Sequence, residues 1–290
     1  MRHMRPRFLA LLAITWLAAG SAGAQSPPVE VVRIPHGAIA SGVLTGHLLR
    51  PRAELPNRGT ARGPLPAIVA LHGCGGLFAA SGKISSRHMD WAERWAAAGY
   101  VVLLPDSFRS RGIEAICEVK ERTVFPRDRA RDAAVAADWL AAQPFIDKGR
   151  IALIGWSHGG SSTLWSLSQG YAPSSAEFKL AIAFYPGCRV PLARGQWPPR
   201  APVTILIGAA DDWTPPAPCR TLAAAHTGFH YVEYPNAVHG FDAPAQPRRS
   251  RTGIAYSGRG DGKVEVGTDP AARAAAITEV TRLLAEAFGR

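Results

Sequence analysis

Residues 150–160 read RIALIGWSHGG: a short apolar run, then Gly155, Ser157 and Gly159 at alternate positions, then residues that suit a helix. The pattern predicts a strand, a sharp turn and a helix with Ser157 at the apex, its hydroxyl held clear of a sheet to attack a carbonyl carbon. A serine between glycines is common enough by chance to be weak on its own. The rest of the chain supplies what such a nucleophile needs. A hydroxyl attacks well only when an imidazole takes its proton, and a carboxylate must then fix the imidazole tautomer. His239 lies in HYVEYPNAVHGFD (230–242), and Asp211 and Asp212 lie in APVTILIGAADDW (201–213), each segment a buried strand running into a loop. The tetrahedral oxyanion also needs fixed donors. LPAIVALHGCGG (65–76) offers the amide of Gly73 or Cys74 in a glycine-rich loop, and the amide of His158 follows the nucleophile directly.

The chain order serine, acid, histidine is that of α/β-hydrolases. Each residue has a plainer reading. A loop serine is usually only a turn residue, but a strand before it and a helix after it favour the elbow. Cys74 lacks such an elbow, so it does not read as a nucleophile. His72 and His158 stand beside the proposed site and read as loop-shaping or pocket-lining groups. His226 and His230 have the spacing of a metal pair on a helix, yet Gly228 and the expected start of a strand separate them. No metal or cofactor is expected.

The elements that would position these residues follow from hydrophobic periodicity. Residues 29–34 and 42–51 predict an N-terminal antiparallel hairpin, followed by a polar loop over 52–64. Strands are expected at 66–71, 100–104, 151–155, 179–184, 203–207 and 230–234. Helices are expected near 88–98, 128–142, 158–169, 217–226 and 271–288. Asp269 before Pro270 reads as an N-cap with proline at the first helical position, and Gly289 as the stop. Trp91 and Trp95, four apart, read as packing groups. Short buried strands alternating with amphipathic helices predict a mainly parallel central sheet with helices on both faces, in one domain over 25–290. From 244 to 268 no periodicity emerges. That segment follows His239 directly, so it stands near the mouth of any site there, and its arginines and glycines read as a solvated insertion.

Residues 1–24 place arginines at 2, 5 and 7 ahead of about a dozen apolar residues and end in Ala22, Gly23 and Ala24. This is the pattern of a secretory signal peptide cleaved after Ala24, and it falls short of the roughly 20 apolar residues of a spanning helix. The expected protein is periplasmic or secreted, with no stable membrane insertion. Cleavage removes three of 33 cationic residues and none of 22 acidic ones, leaving a net charge of about +8. A basic surface attracts anionic envelope surfaces or acidic substrates. Without a basic stripe interleaved with aromatics, nucleic acid is not an expected partner.

Taken together, LHGCGG (71–76), GYVVLLPDSF (99–108), the helix over 128–143, GWSHGG (155–160), GAADDWTP (208–215) and AVHGFD (237–242) resemble the dienelactone hydrolase family of the α/β-hydrolase fold, over about residues 29–288. The resemblance implies a triad of Ser157, Asp211 and His239; the family's spacing after Gly208 selects Asp211, with Asp212 the adjacent alternative. Founding members carry cysteine at the elbow and glutamate after the third strand, where this chain has Ser157 and His72, which points away from dienelactone itself. In such a sheet Cys74 and Cys117 follow neighbouring strands, as do Cys188 and Cys219, and cross-pairing would have to reach over intervening strands. Disulfides Cys74–Cys117 and Cys188–Cys219 are therefore expected, in keeping with export. The implied activity is hydrolysis of a small-molecule carboxylic ester or lactone through an acyl-enzyme. A polyester-type esterase, which often shows a GWSxGG elbow, is an alternative. So is a prolyl-oligopeptidase-like peptidase, for whose propeller domain there is no room, and so is a hydrolase-shaped binding protein without activity. The oligomeric state is not legible.

Overall fold

The computed structural model describes residues 1, 28–51, 63–169, 171, 177–195 and 197–289. Nearly all of the expected leader and most of the polar loop over 52–64 lie outside the described residues. Ten strands are described: β1 (Val29–Pro35), β2 (Val43–Leu49), β3 (Leu65–Leu71), β4 (Val101–Pro105), β5 (Ile146–Trp156), β6 (Leu180–Phe184), β7 (Val203–Gly208), β8 (Phe229–Tyr234), β9 (Arg249–Arg251) and β10 (Val264–Val266). The first eight form one sheet in the order β1-β2-β4-β3-β5-β6-β7-β8. The hairpin β1–β2 is antiparallel, β2 meets β4 antiparallel, and every pair from β4 to β8 is parallel. Helices cover both faces. They are α1 (Ser86–Ala97), α2 (Pro126–Ala141), α3 (His158–Leu167), α4 (Arg189–Ala193), α5 (Pro216–Ala225) and α6 (Pro270–Phe288), with a short 3-10 turn at Arg109–Arg111.

The sequence explains this layering. Strands β4, β6 and β7 are buried at every residue, as parallel strands covered on both faces must be, whereas edge strand β1 is mostly open to solvent, with only Ile34 buried. In α6 the Asp269 carboxylate accepts from the Ala272 amide and Gly289 takes the left-handed conformation that ends the helix. Its buried residues Ala272, Ala276, Val280, Leu284 and Phe288 recur at four-residue spacing, and the helix lies across β5 and β6. Among the described residues no helix is long and apolar enough to cross a membrane. The parallel arrangement puts the C-terminal ends of β3, β5, β7 and β8 at one rim, where loops from α/β sheets build sites.

Candidate active site

Strand β5 stops at Trp156 and α3 begins at His158, so Ser157 alone makes the turn, at φ 54° and ψ −113°. A non-glycine residue there is strained by about 1–3 kcal/mol, a cost that the surrounding packing must hold in place. Its amide donates to the Phe184 carbonyl at 2.9 Å, tying the turn to β6. The flanking glycines are forced by contact. A Cβ at 155 would sit 2.3 Å from the Gly159 carbonyl oxygen, and one at 159 would sit 2.2 Å from that of Leu71.

The loops after β7 and β8 bring the other two expected residues to this hydroxyl. His239 Nε2 is 3.0 Å from Ser157 Oγ, and its Nδ1 is 2.8 Å from Asp211 Oδ2. With Nδ1 facing a carboxylate, the proton belongs on Nδ1, and Nε2 is left to accept from the serine. The Asp211 carboxylate is itself fixed by the amides of Trp213 and Thr214 at 2.9 and 2.8 Å and by the Thr214 hydroxyl at 3.0 Å. The imidazole contacts two aromatic rings, both tilted to it: Tyr185 at 4.5 Å and Trp213 at 4.6 Å between centroids. All three residues of the relay are buried. Asp212 turns away. Its oxygens accept from the Glu265 amide at 2.8 Å and from Arg259 at 3.1 Å, so it anchors a loop and does not face His239.

The glycine-rich loop after β3 runs against Ser157: a Cβ placed at Gly73 would lie 3.6 Å from Ser157 Cβ. His158 opens α3, so its amide is one of the helix's first N–H groups, which have no intrahelical acceptor. The amides of Gly73, Cys74 and His158 thus belong to segments that meet at Ser157. Cys74 is disulfide-bonded to Cys117, and Cys188 to Cys219, with Cα–Cα distances of 5.0 Å in both. The first bond clamps the glycine-rich loop to the segment after β4, helped by the Ile116 amide donating to the Cys74 carbonyl at 2.8 Å. Because it closes a loop spanning 43 residues, replacing Cys74 and Cys117 together by serine is expected to cost about 4 kcal/mol of stability through chain entropy. A urea titration checks this, and an unchanged midpoint would refute it.

The segment over 244–268 exposes most of its arginines, as its composition suggests, but it is ordered and anchored at the site. Strands β9 and β10 pair antiparallel within it, Val266 bridges to His239 in parallel, and the Gly267 amide donates to the His239 carbonyl at 3.3 Å. Ile254 and Val264 are buried in a small apolar cluster with Phe108, Ile116, Trp213 and the Cys74–Cys117 bond. Two strands of three residues are too short to show a period of two, which is why the ribbon left no signal in the sequence. It frames the site, with Asp212 as its anchor.

Three further buried histidines surround the elbow. Burial pushes His72 and His158 well below the ordinary imidazole range, and the Arg129 guanidinium adds to the effect. His88 is lowered to about 3, by burial and then by Arg87 and Arg129. Arg129 is itself wholly buried, donates to His158 Nδ1 at 3.0 Å, and is lowered to about 9, chiefly by burial. These histidines are neutral when folded, whereas the unfolded chain protonates them below about pH 6.5. Their contribution is fully present above that pH and is lost as pH falls below it, for His88 over the window from about 6.5 to about 3. For His88 alone the loss is on the order of 4 kcal/mol across the window. A melting temperature equal at about pH 5 and about pH 7.5 would contradict this.

The model of the dienelactone hydrolase family matches residues 55–288. The chain belongs to that family. This family member shares its fold with a Klebsiella pneumoniae protein assigned as a dienelactone hydrolase, at 18% identity and a TM-score of 0.65, over 89% of this chain and 98% of that one. It also shares its fold with esterase 2 of Thermogutta terrifontis, at 19% identity and a TM-score of 0.59, over 91% and 96% of the two chains. Among curated proteins, the "Probable dipeptidyl-aminopeptidase B" of Aspergillus terreus is 26% identical over 158 residues, which are 53% of this chain and 17% of that protein. Its counterpart in Fusarium vanettenii is 33% identical over 88 residues, 30% of this chain and 10% of that one. The chain thus matches about a sixth or less of the length of these curated relatives. They and the family are hydrolases.

Proposed function

We propose that this chain is an exported serine hydrolase that cleaves carboxylic esters or lactones through an acyl-enzyme on Ser157. The observation that carries the reading is the continuous relay from Ser157 Oγ through His239 to Asp211, at 3.0 and 2.8 Å, built on a strained elbow. In the acylation step Ser157 Oγ bonds to the substrate carbonyl carbon while its proton passes to His239 Nε2. Asp211 holds the Nδ1 proton and stabilises the imidazolium that results. The amide of His158, with that of Gly73 or Cys74, receives the oxyanion. Collapse breaks the bond to the alcohol, which takes the proton from Nε2, and a water activated by the same imidazole then releases the acid. Export is supported by the leader pattern of residues 1–24 and by two disulfides, which suit an oxidising compartment.

Likeness to the dipeptidyl-aminopeptidases favours a second reading, in which the same relay attacks a peptide bond. The test is turnover of p-nitrophenyl esters of graded chain length, lactones and a peptide amide by the purified protein, with Ser157→Ala as control. Ester or lactone turnover that vanishes in the control supports the proposal. Turnover of the amide alone assigns the peptidase reading, and turnover that survives in the control overturns both.

A further inference from the structure

Three residues past the imidazole, Asp242 is wholly buried, yet its carboxylate takes no place in the relay. Donors from three other parts of the fold converge on it. Trp91 Nε1 of α1 and Trp156 Nε1 at the end of β5 each donate to Oδ2 at 2.8 Å. The Tyr185 hydroxyl, just past β6, donates to Oδ1 at 2.6 Å, and Arg87 Nε of α1 lies 3.4 Å from the same oxygen. Burial raises the Tyr185 phenol well above its ordinary range, so it stays protonated and donates. Arg87 also reaches the Gly240 carbonyl at 3.4 Å, and Arg273 reaches the carbonyl of Asp242 itself at 2.5 Å.

A carboxylate withdrawn from water is expensive unless saturated with donors, and an apolar side chain of similar size would give a simpler core. What these donors do accomplish is to place one point in space relative to both halves of the relay. Trp156 is the residue before Ser157, so its indole references the carboxylate to the nucleophile. The Tyr185 ring packs against the His239 ring at 4.5 Å between centroids, tilted by 57°, and Asp242 is joined to His239 by the short segment Gly240–Phe241. We propose that Asp242 is a positioning residue for hydrolysis, locking the loop that carries His239 to the end of β5 so that Nε2 is held at hydrogen-bond distance from Ser157 Oγ. The proposal rests on the serine hydrolase reading above.

Asparagine at 242 would keep the volume, but with its amide oxygen held by the two indoles it would turn an NH2 donor toward the Tyr185 hydroxyl and the Arg87 guanidinium, where Oδ1 had accepted. Asp242→Asn is therefore expected to lower kcat, per active site titrated with a fluorophosphonate, by about 10- to 100-fold with KM within about threefold, because sub-ångström misplacement of a base is felt mainly in the chemical step. Tyr185→Phe keeps the ring contact with His239 and the fold while deleting one hydrogen bond, and a fall of about 3- to 10-fold in kcat is expected. The far-downfield proton resonance of His239 Nδ1, read by NMR on the full chain, is expected to shift or broaden in both variants. A purely structural role predicts lower stability with wild-type kcat per titrated site and an unchanged resonance. That result in Tyr185→Phe overturns the proposal even if Asp242→Asn fails to fold. If the wild type is neither labelled nor active on esters, the hydrolase reading fails, and the NMR comparison alone then decides whether Asp242 positions the imidazole.

Discussion

Replacing Ser157 by alanine is expected to lower ester turnover by about 10⁶-fold, because a triad acts as a unit and loses nearly all of its effect with the nucleophile. The side chain is small and its buried surroundings are unchanged by losing one oxygen. The strain at φ 54° remains, so the variant should fold, with a melting temperature close to that of the parent. A small residual rate, carried by the oxyanion donors and substrate binding, would be natural. Turnover and thermal unfolding measured on one preparation check the claim. A variant that keeps more than about a hundredth of the parent rate would show that another group attacks the substrate.

Asp211→Asn is expected to lower kcat by about 10⁴-fold, since the amide can hold the ring in place but favours the wrong imidazole tautomer and cannot stabilise the imidazolium. Asp212→Asn is expected to change kcat by less than about tenfold and to act mainly through the Glu265 amide and Arg259, that is, through the ribbon at the mouth of the site. The two variants differ by one position in the chain and isolate the carboxylate that faces Nδ1. Steady-state kinetics on the best ester settles the ranking, and the reverse order would mean that the relay runs through Asp212.

The elements that hold the relay were legible because each is long enough to show its period. The buried runs of β3, β6 and β7 and the four-residue spacing of α6 all stand close to where patterning puts them, and Asp269, Pro270 and Gly289 mark the last helix by cap chemistry alone. Adjacency limited the reading of Asp211 against Asp212. Both follow β7, and only the direction in which the turn aims each carboxylate separates them. The ribbon β9–β10 and the five-residue α4 are too short for any pattern to rise above the loop around them. Asp242 was missed for another reason: an aspartate after His-Gly-Phe looks like a turn residue, and its donors Trp91, Trp156 and Tyr185 are remote in sequence. One signal was available. Trp156 ends a strongly apolar run, and a buried indole N–H needs an acceptor somewhere.

The architecture also explains why so exposed a task as hydrolysis is given to buried groups. Parallel strands bring four loops to one rim, the elbow lifts a hydroxyl over it, and the tilted rings of Tyr185 and Trp213 pack against His239, which is buried while its two nitrogens meet Asp211 and Ser157. A dry, fixed arrangement of this kind strengthens each charge-assisted contact and removes reorganisation from the reaction.

The most direct measurement is peptide mapping by mass spectrometry after treatment with a fluorophosphonate, run on the parent and on His239→Ala. The relay predicts one adduct, on Ser157, formed at least about 10³ times more slowly without the imidazole. An adduct on a different residue, or labelling of Ser157 at the same rate in both proteins, would contradict it.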